Sequence, residues 1–193
     1  MRFPHWRFFE SLDDELHSLS RIVDFSPDNL PTYSVHLARL YLSICSEIDV
    51  VAKLLCARIA PSEKPGNIDQ YRSLITTRFP NFSNLQIEMP GHELDFQPWA
   101  SWNAGKNPSW WKSYNDVKHE RNKFYSDANL GNVLESSAGL LVLLIYHHQP
   151  DLYAINPSIQ PDFRTMRIDQ QYAGIMCFGF SYKLPDFDIA QSK

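Results

Sequence analysis

The stretch between Pro31 and Pro61 constrains this chain more than any other. Leu37, Leu40, Tyr41, Ile44, Ile48, Val51 and Leu55 recur at three- and four-residue steps, and no proline or glycine interrupts residues 32–60. That spacing predicts one long helix with an apolar face, and the two prolines are suited to its start and stop. A second apolar helix is expected from Leu130 to His148. Its centre, Ala138 to Tyr146, is a run of nine apolar residues. A membrane span needs about twenty, so this run predicts a buried helix and no membrane partner. Two such helices must bury their faces against others. The expected fold is therefore mainly α, with about four to five helices packed around these two.

The rest of the chain predicts shorter elements. A helix is expected over roughly 10–24, after an aromatic N-terminus, and another from Ile68 to Phe79 beyond the turn PSEKPGN. Residues 81–108 carry Pro90, Pro98 and Pro108, with short extended pieces LQIEM and HELDF. They predict a long proline-rich irregular loop or hairpin, of a length that is often functional. Ser109 is the expected cap of a helix from Trp110 to Tyr125, and Asp127 or Asn129 of the next. Pro150 is expected to end the apolar helix, with His147 and His148 suited to its C-terminal dipole. FRTMRI (163–168) and YAGIMCFGFSY (172–182) are strand candidates for a C-terminal β-hairpin or small edge sheet. The expected organisation is one domain over 1–193, with a helical core at 32–148 and a β-rich extension at 150–193.

Formal net charge is −4 and pI about 5.9, so any nucleic-acid contact must be local rather than a broad basic coat. The three cysteines, Cys45, Cys56 and Cys177, have no metal-site spacing, and predict a reducing, cytosolic setting without a structural disulfide. MRFPHWRFFE lacks the apolar core of a signal peptide. No phosphate loop, dinucleotide fingerprint or Gly-x-Ser-x-Gly elbow is present, and His92 and Glu93 have no spaced partners, so neither cofactor nor metal is expected.

Chemistry concentrates in WWKSYNDVKHERNK, Trp110 to Lys123. At 100° per residue, Trp111, Asn115, Lys118, His119 and Asn122 fall within about a third of the circumference, with Tyr114, Arg121 and Tyr125 on the adjoining flank. This is the pattern of a polar, aromatic-lined pocket wall. It is equally the pattern of aromatic residues filling the core while Lys118, His119 and Arg121 are solvated. On the first long helix, Glu47 falls on the same wheel face as Leu40, Ile44, Val51 and Leu55. A carboxylate there needs a cation, and Lys118, His119 or Arg121 are the expected source; the alternative is that Glu47 reaches water at the edge of the stripe.

The run W-W-x-x-Y-N-x-x-K-H-x-R followed by a long apolar helix, with Ser46-Glu47-Ile48-Asp49 earlier, resembles the HEPN superfamily over about residues 32–148. The resemblance implies an antiparallel helical bundle, usually a homodimer. It also implies a metal-independent endoribonuclease of a defence or toxin–antitoxin module, with an antitoxin or other protein partner. The family's ribonuclease signature is an arginine, an adjacent polar residue and a histidine four to six residues further on. Arg121-Asn122 matches the first half. Lys123 to Leu130 contains no histidine, and His119 precedes Arg121. The family pattern also includes an acidic or polar residue on an earlier helix, which Glu47 matches. Under a ribonuclease reading His119 is the base, Arg121 and Lys118 stabilise phosphorane charge, Asn115 and Asn122 hold phosphate beside Tyr114, and Glu47 orients His119 or Arg121. Two further readings stand beside it. One is a non-catalytic HEPN-like module that binds a nucleotide, RNA or a protein through the same cluster. The other is a structural helical domain with an internal ion-pair network.

Overall fold

The computed structural model describes residues 3–153, 164–169, 173–176, 179–182 and 186. Five helices carry the fold: α1 (Pro4–Leu19), α2 (Val35–Ile59), α3 (Ile68–Arg78), α4 (Ser109–Phe124) and α5 (Leu130–Tyr153). The strands are β1 (Ile87–Met89), β2 (Leu94–Phe96), β3 (Arg167–Ile168), β4 (Ala173–Met176) and β5 (Gly179–Tyr182). The mainly helical bundle expected from periodicity is the observed architecture.

The two long helices form its centre. Ser34 starts α2 by accepting a hydrogen bond from the Leu37 amide at 3.1 Å. Asn129 does the same for α5, its side chain accepting from the Asn132 amide at 2.9 Å. Tyr33 bridges Asn129 at one end of the pair, and Arg58 donates to the His147 carbonyl at the other, so α2 and α5 run side by side in the same direction. α1 and α4 run opposite to α2. His5 meets Glu47 and Glu15 meets Arg39 along α1, while Tyr41 meets Trp110 and Tyr125 lies near Val35 along α4. Leu130 to His148 is apolar enough to pass for a membrane span, with mean hydropathy 1.3, but 78% of it is buried within the fold, as a central helix requires.

Several boundaries differ from the sequence expectation. The first helix covers Pro4–Leu19 rather than 10–24, because Trp6, Phe9, Leu12 and Leu16 make the buried stripe and Pro4 opens it. Ser109 is the first helical residue of α4, not its cap; Pro108 takes the cap position. Pro150 does not end α5, which continues to Tyr153 although a proline nitrogen has no hydrogen to donate. His148 does not cap a terminus. It is 5% exposed and packs edge-on against Phe3 and Trp6.

Residues 81–108 are a hairpin flanked by short 3-10 turns at Phe82–Asn84 and Ala100–Ala104. β1 pairs antiparallel with β2 on one side and β3 on the other, so the C-terminal extension contributes a strand to this central element. The strand expected over 163–168 is reduced to Arg167–Ile168, with Arg167 bonded to Glu88 at 2.9 Å across the pair. β4 and β5 form the expected hairpin, in register Ala173 with Tyr182. Cys45 and Cys56 are buried free thiols; Cys177 lies outside the described residues.

Asp13 ties the two ends of the chain together. It is 2% exposed, accepts from the Arg164 amide at 2.7 Å and the Thr165 amide at 3.2 Å, and takes the Thr165 hydroxyl proton as well. Burial pushes its carboxyl pKa up, and these three bonds pull it back. Asp13→Ala strands the buried Thr165 amide and hydroxyl and leaves the part-buried Arg164 amide without its acceptor. The expected cost is about 2–4 kcal/mol, read as a lower urea midpoint, whereas Asp14→Ala, which removes an exposed pair with Arg164, should cost under about 1 kcal/mol.

Candidate functional site

The Trp110 to Lys123 helix is placed by its tryptophans. Trp110 is fully buried, and its indole N–H donates to the Pro98 carbonyl at 3.1 Å. Trp99 donates to the Gly139 carbonyl on α5 at 3.1 Å, and the two indoles meet edge to face. The Tyr41 hydroxyl on α2 donates to the Trp110 carbonyl. These contacts fix the start of α4 against both central helices.

Outward from that anchor, the polar residues separate. Tyr114 is buried against Tyr41, and the Lys118 ammonium lies 5.4 Å over its ring. Asn115 donates to the Trp111 carbonyl of its own helix at 2.8 Å. Lys118, His119, Arg121 and Asn122 are all exposed. Glu120 has φ −134° and ψ 48°, which breaks the helical path. The wheel that placed Arg121 and Asn122 relative to Trp111 therefore does not hold past residue 119, and the expected continuous pocket wall is not formed.

Glu47 is the larger correction. It pairs with His5 of α1 at 2.6 Å, not with Lys118, His119 or Arg121. The buried residues of α2 centre on Ile44, Ile48 and Leu55, roughly 60–100° round the helix from Glu47. Glu47 thus sits at the edge of the stripe, where α1 crosses. Nearby, Asp49 accepts from the Tyr71 hydroxyl at 2.8 Å, linking α2 to α3.

Among the candidate residues, Arg121 borders an open cleft. An open cleft of about 380 Å³ between α2 and the end of α4 is lined by Val35, Ala38, Arg39, Leu42, Ser43, Arg121 and Tyr125. Its lining is mostly apolar, and its two charged residues are arginines, one from each helix. Tyr33, half-exposed, meets Tyr125 edge to face at 5.7 Å beside it. Among the described residues Arg121 has no carboxylate within ion-pair distance. A cleft with a mostly apolar lining and two arginines suits an anion carried on an apolar or aromatic body, such as a nucleotide unit. Among the described residues no group of three or more His, Cys, Asp or Glu side chains is placed to hold a metal ion.

The sequence reading passed over Arg39, Ser43 and Glu135. Arg39 and Ser43 lie off the apolar stripe of α2, and only the packing of α4 beside them gives them a common neighbour. Glu135 had a visible signal, the one carboxylate between Leu130 and His148. Burial alone pushes its pKa up to about 7 from the ordinary 4.5, and none of the described residues hydrogen-bonds it. Tyr41, also raised by burial, feels the charges of Cys45, Glu135 and Asp127.

No protein-family model matches the chain, and neither the curated proteins nor the solved structures return a match.

Glu135 gives a pH-dependent expectation. Between pH 4.5 and about 7 the folded chain holds its proton and the unfolded chain does not, so this residue makes stability fall as pH rises through that window. Glu135→Gln should leave the melting temperature at pH 4.5 nearly unchanged and raise stability at pH 8 by no more than about 3 kcal/mol. Equal melting shifts at both pH values would show that the carboxyl is not held protonated.

Proposed function

We propose that this chain is a HEPN-like RNA-binding module in which the cleft between α2 and α4 holds a phosphate of the RNA backbone. The observation that carries this reading is Arg121, an exposed guanidinium on the cleft wall with no carboxylate partner among the described residues. A guanidinium matches two phosphate oxygens with parallel N–H donors, and an unpaired one loses no ion pair on binding. Tyr125, with Tyr33 beside it, offers aromatic surface for a base, which suits an unpaired strand better than a duplex. One local site of this kind is compatible with a net charge of −4.

The endoribonuclease reading has less support. Its base would be His119, which is exposed and lies before the bend at Glu120, outside the cleft lining. Its orienting carboxylate, Glu47, is engaged by His5. A binding role needs neither group.

Fluorescence anisotropy with a labelled single-stranded oligoribonucleotide tests the proposal. Arg121→Ala should weaken binding about tenfold or more, the loss expected for a charge-assisted bond, whereas Lys112→Ala, on the same helix and 83% exposed, should change it less than about twofold. Equal losses from both substitutions, or no binding by the parent protein, would overturn it. The same samples incubated with and without EDTA and run on a gel report cleavage. Strand scission abolished by His119→Ala would restore the catalytic reading.

A further inference from the structure

The cleft has two arginines, and only one is unpaired. Arg39 of α2 donates through Nη2 to Oε2 of Glu15 on α1. The His36 Nε2 atom lies 3.9 Å from the same carboxylate oxygen, and its Nδ1 atom 3.5 Å from the Arg39 Nη2 atom. Glu15 is thus seated between His36 and Arg39. It is not part of the cleft lining, so it pairs from outside the cleft with an arginine that borders it.

Resting on the reading of the cleft as an RNA phosphate site, we propose that Arg39 is its second phosphate-holding arm and that Glu15 is an intramolecular competitor for it. A guanidinium has five N–H donors in a planar fork, and those not used by Glu15 remain for a ligand. The Arg39 side chain is 55% exposed and that of Glu15 33%. A pair so exposed is weak, because solvent screens it. A phosphate bridging Arg39 and Arg121 forms stronger charge-assisted bonds than one solvated carboxylate can. α1 itself stays in place, because Trp6, Phe9, Leu12, Leu16 and Asp13 hold it independently of Glu15. The partner of Arg39 can therefore change without unfolding the helix that supplies it.

A double-mutant cycle tests this in the full chain with the same labelled single-stranded RNA. Glu15→Gln should tighten binding roughly two- to fivefold, and Arg39→Ala should weaken it several-fold. In the Arg39→Ala background, Glu15→Gln should give no gain. Glu10→Gln, which removes another exposed carboxylate from α1, controls for net charge and should change affinity less than Glu15→Gln does. Circular dichroism and melting curves confirm that each variant is folded. If Glu15→Gln gives no gain, gives the same gain without Arg39, or gives only the gain of Glu10→Gln, the competition is excluded. If Arg39→Ala leaves affinity unchanged while Arg121→Ala weakens it, the second arm is excluded and the simpler Arg121 site stands. If Arg121→Ala has no effect, the RNA reading of the cleft fails first.

Discussion

The close approach of two tryptophans to α5 at Gly139 is the contact on which the arrangement of this protein depends. A Cβ placed at Gly139 would lie 3.2 Å from the Trp110 ring and 3.5 Å from the Trp99 ring. A side chain at this position would have to push one indole aside, and both indoles are fully engaged. Trp99 bonds the Gly139 carbonyl itself, and Trp110 bonds Pro98, just before Trp99. One missing methyl group thus lets the proline-rich segment, α4 and α5 share a single dry contact, where aromatic burial and two indole hydrogen bonds reinforce one another. Tyr41 extends the same contact to α2.

The cleft follows from that contact. With the start of α4 clamped on α2 and α5, the helix runs back along α2 toward its N-terminal end. It is covered on its inner side by Tyr114 and Val117 and open on its outer side. The break at Glu120 redirects the last residues, and Arg121 and Tyr125 come to lie beside Val35 to Ser43. The polar site is a product of where a helix is anchored and where it bends, more than of which polar residues it carries.

This explains what could and could not be read in advance. Long apolar periodicities made α2 and α5 legible from spacing, the turn before Ile68 and Pro80 after it bracketed α3, and Asn129 was one of two cap candidates, with Asp127. The turn-rich hairpin at the end of the chain was legible from its strand-like runs. Partners of charged groups were not. Glu47 on an ideal wheel sits among leucines, yet its neighbour comes from residue 5, an interaction across 42 positions that no local pattern encodes. Arg121 was singled out for its place in a motif and does border the cleft. Arg39 carried no local signal, since an arginine on the polar flank of a helix looks like a solvated charge until a second helix is laid beside it. The bend at Glu120 defeated the wheel for a similar reason, because nothing in Lys118 to Asn122 marks a break in the way proline or glycine would.

The bonds from Asp13 to Arg164 and Thr165 span 151 and 152 positions, nearly the whole described chain. Closing a loop of that size costs entropy before any of its contacts form, so such contacts mature late in folding and open early in partial unfolding. β3 depends on the same closure, since it joins β1 only two residues after Thr165. The helical core and this closing clasp are therefore expected to exchange their amide hydrogens on different timescales. The Arg164 and Thr165 amides would act as a sensitive local reporter of whether the first and last parts of the molecule are still joined.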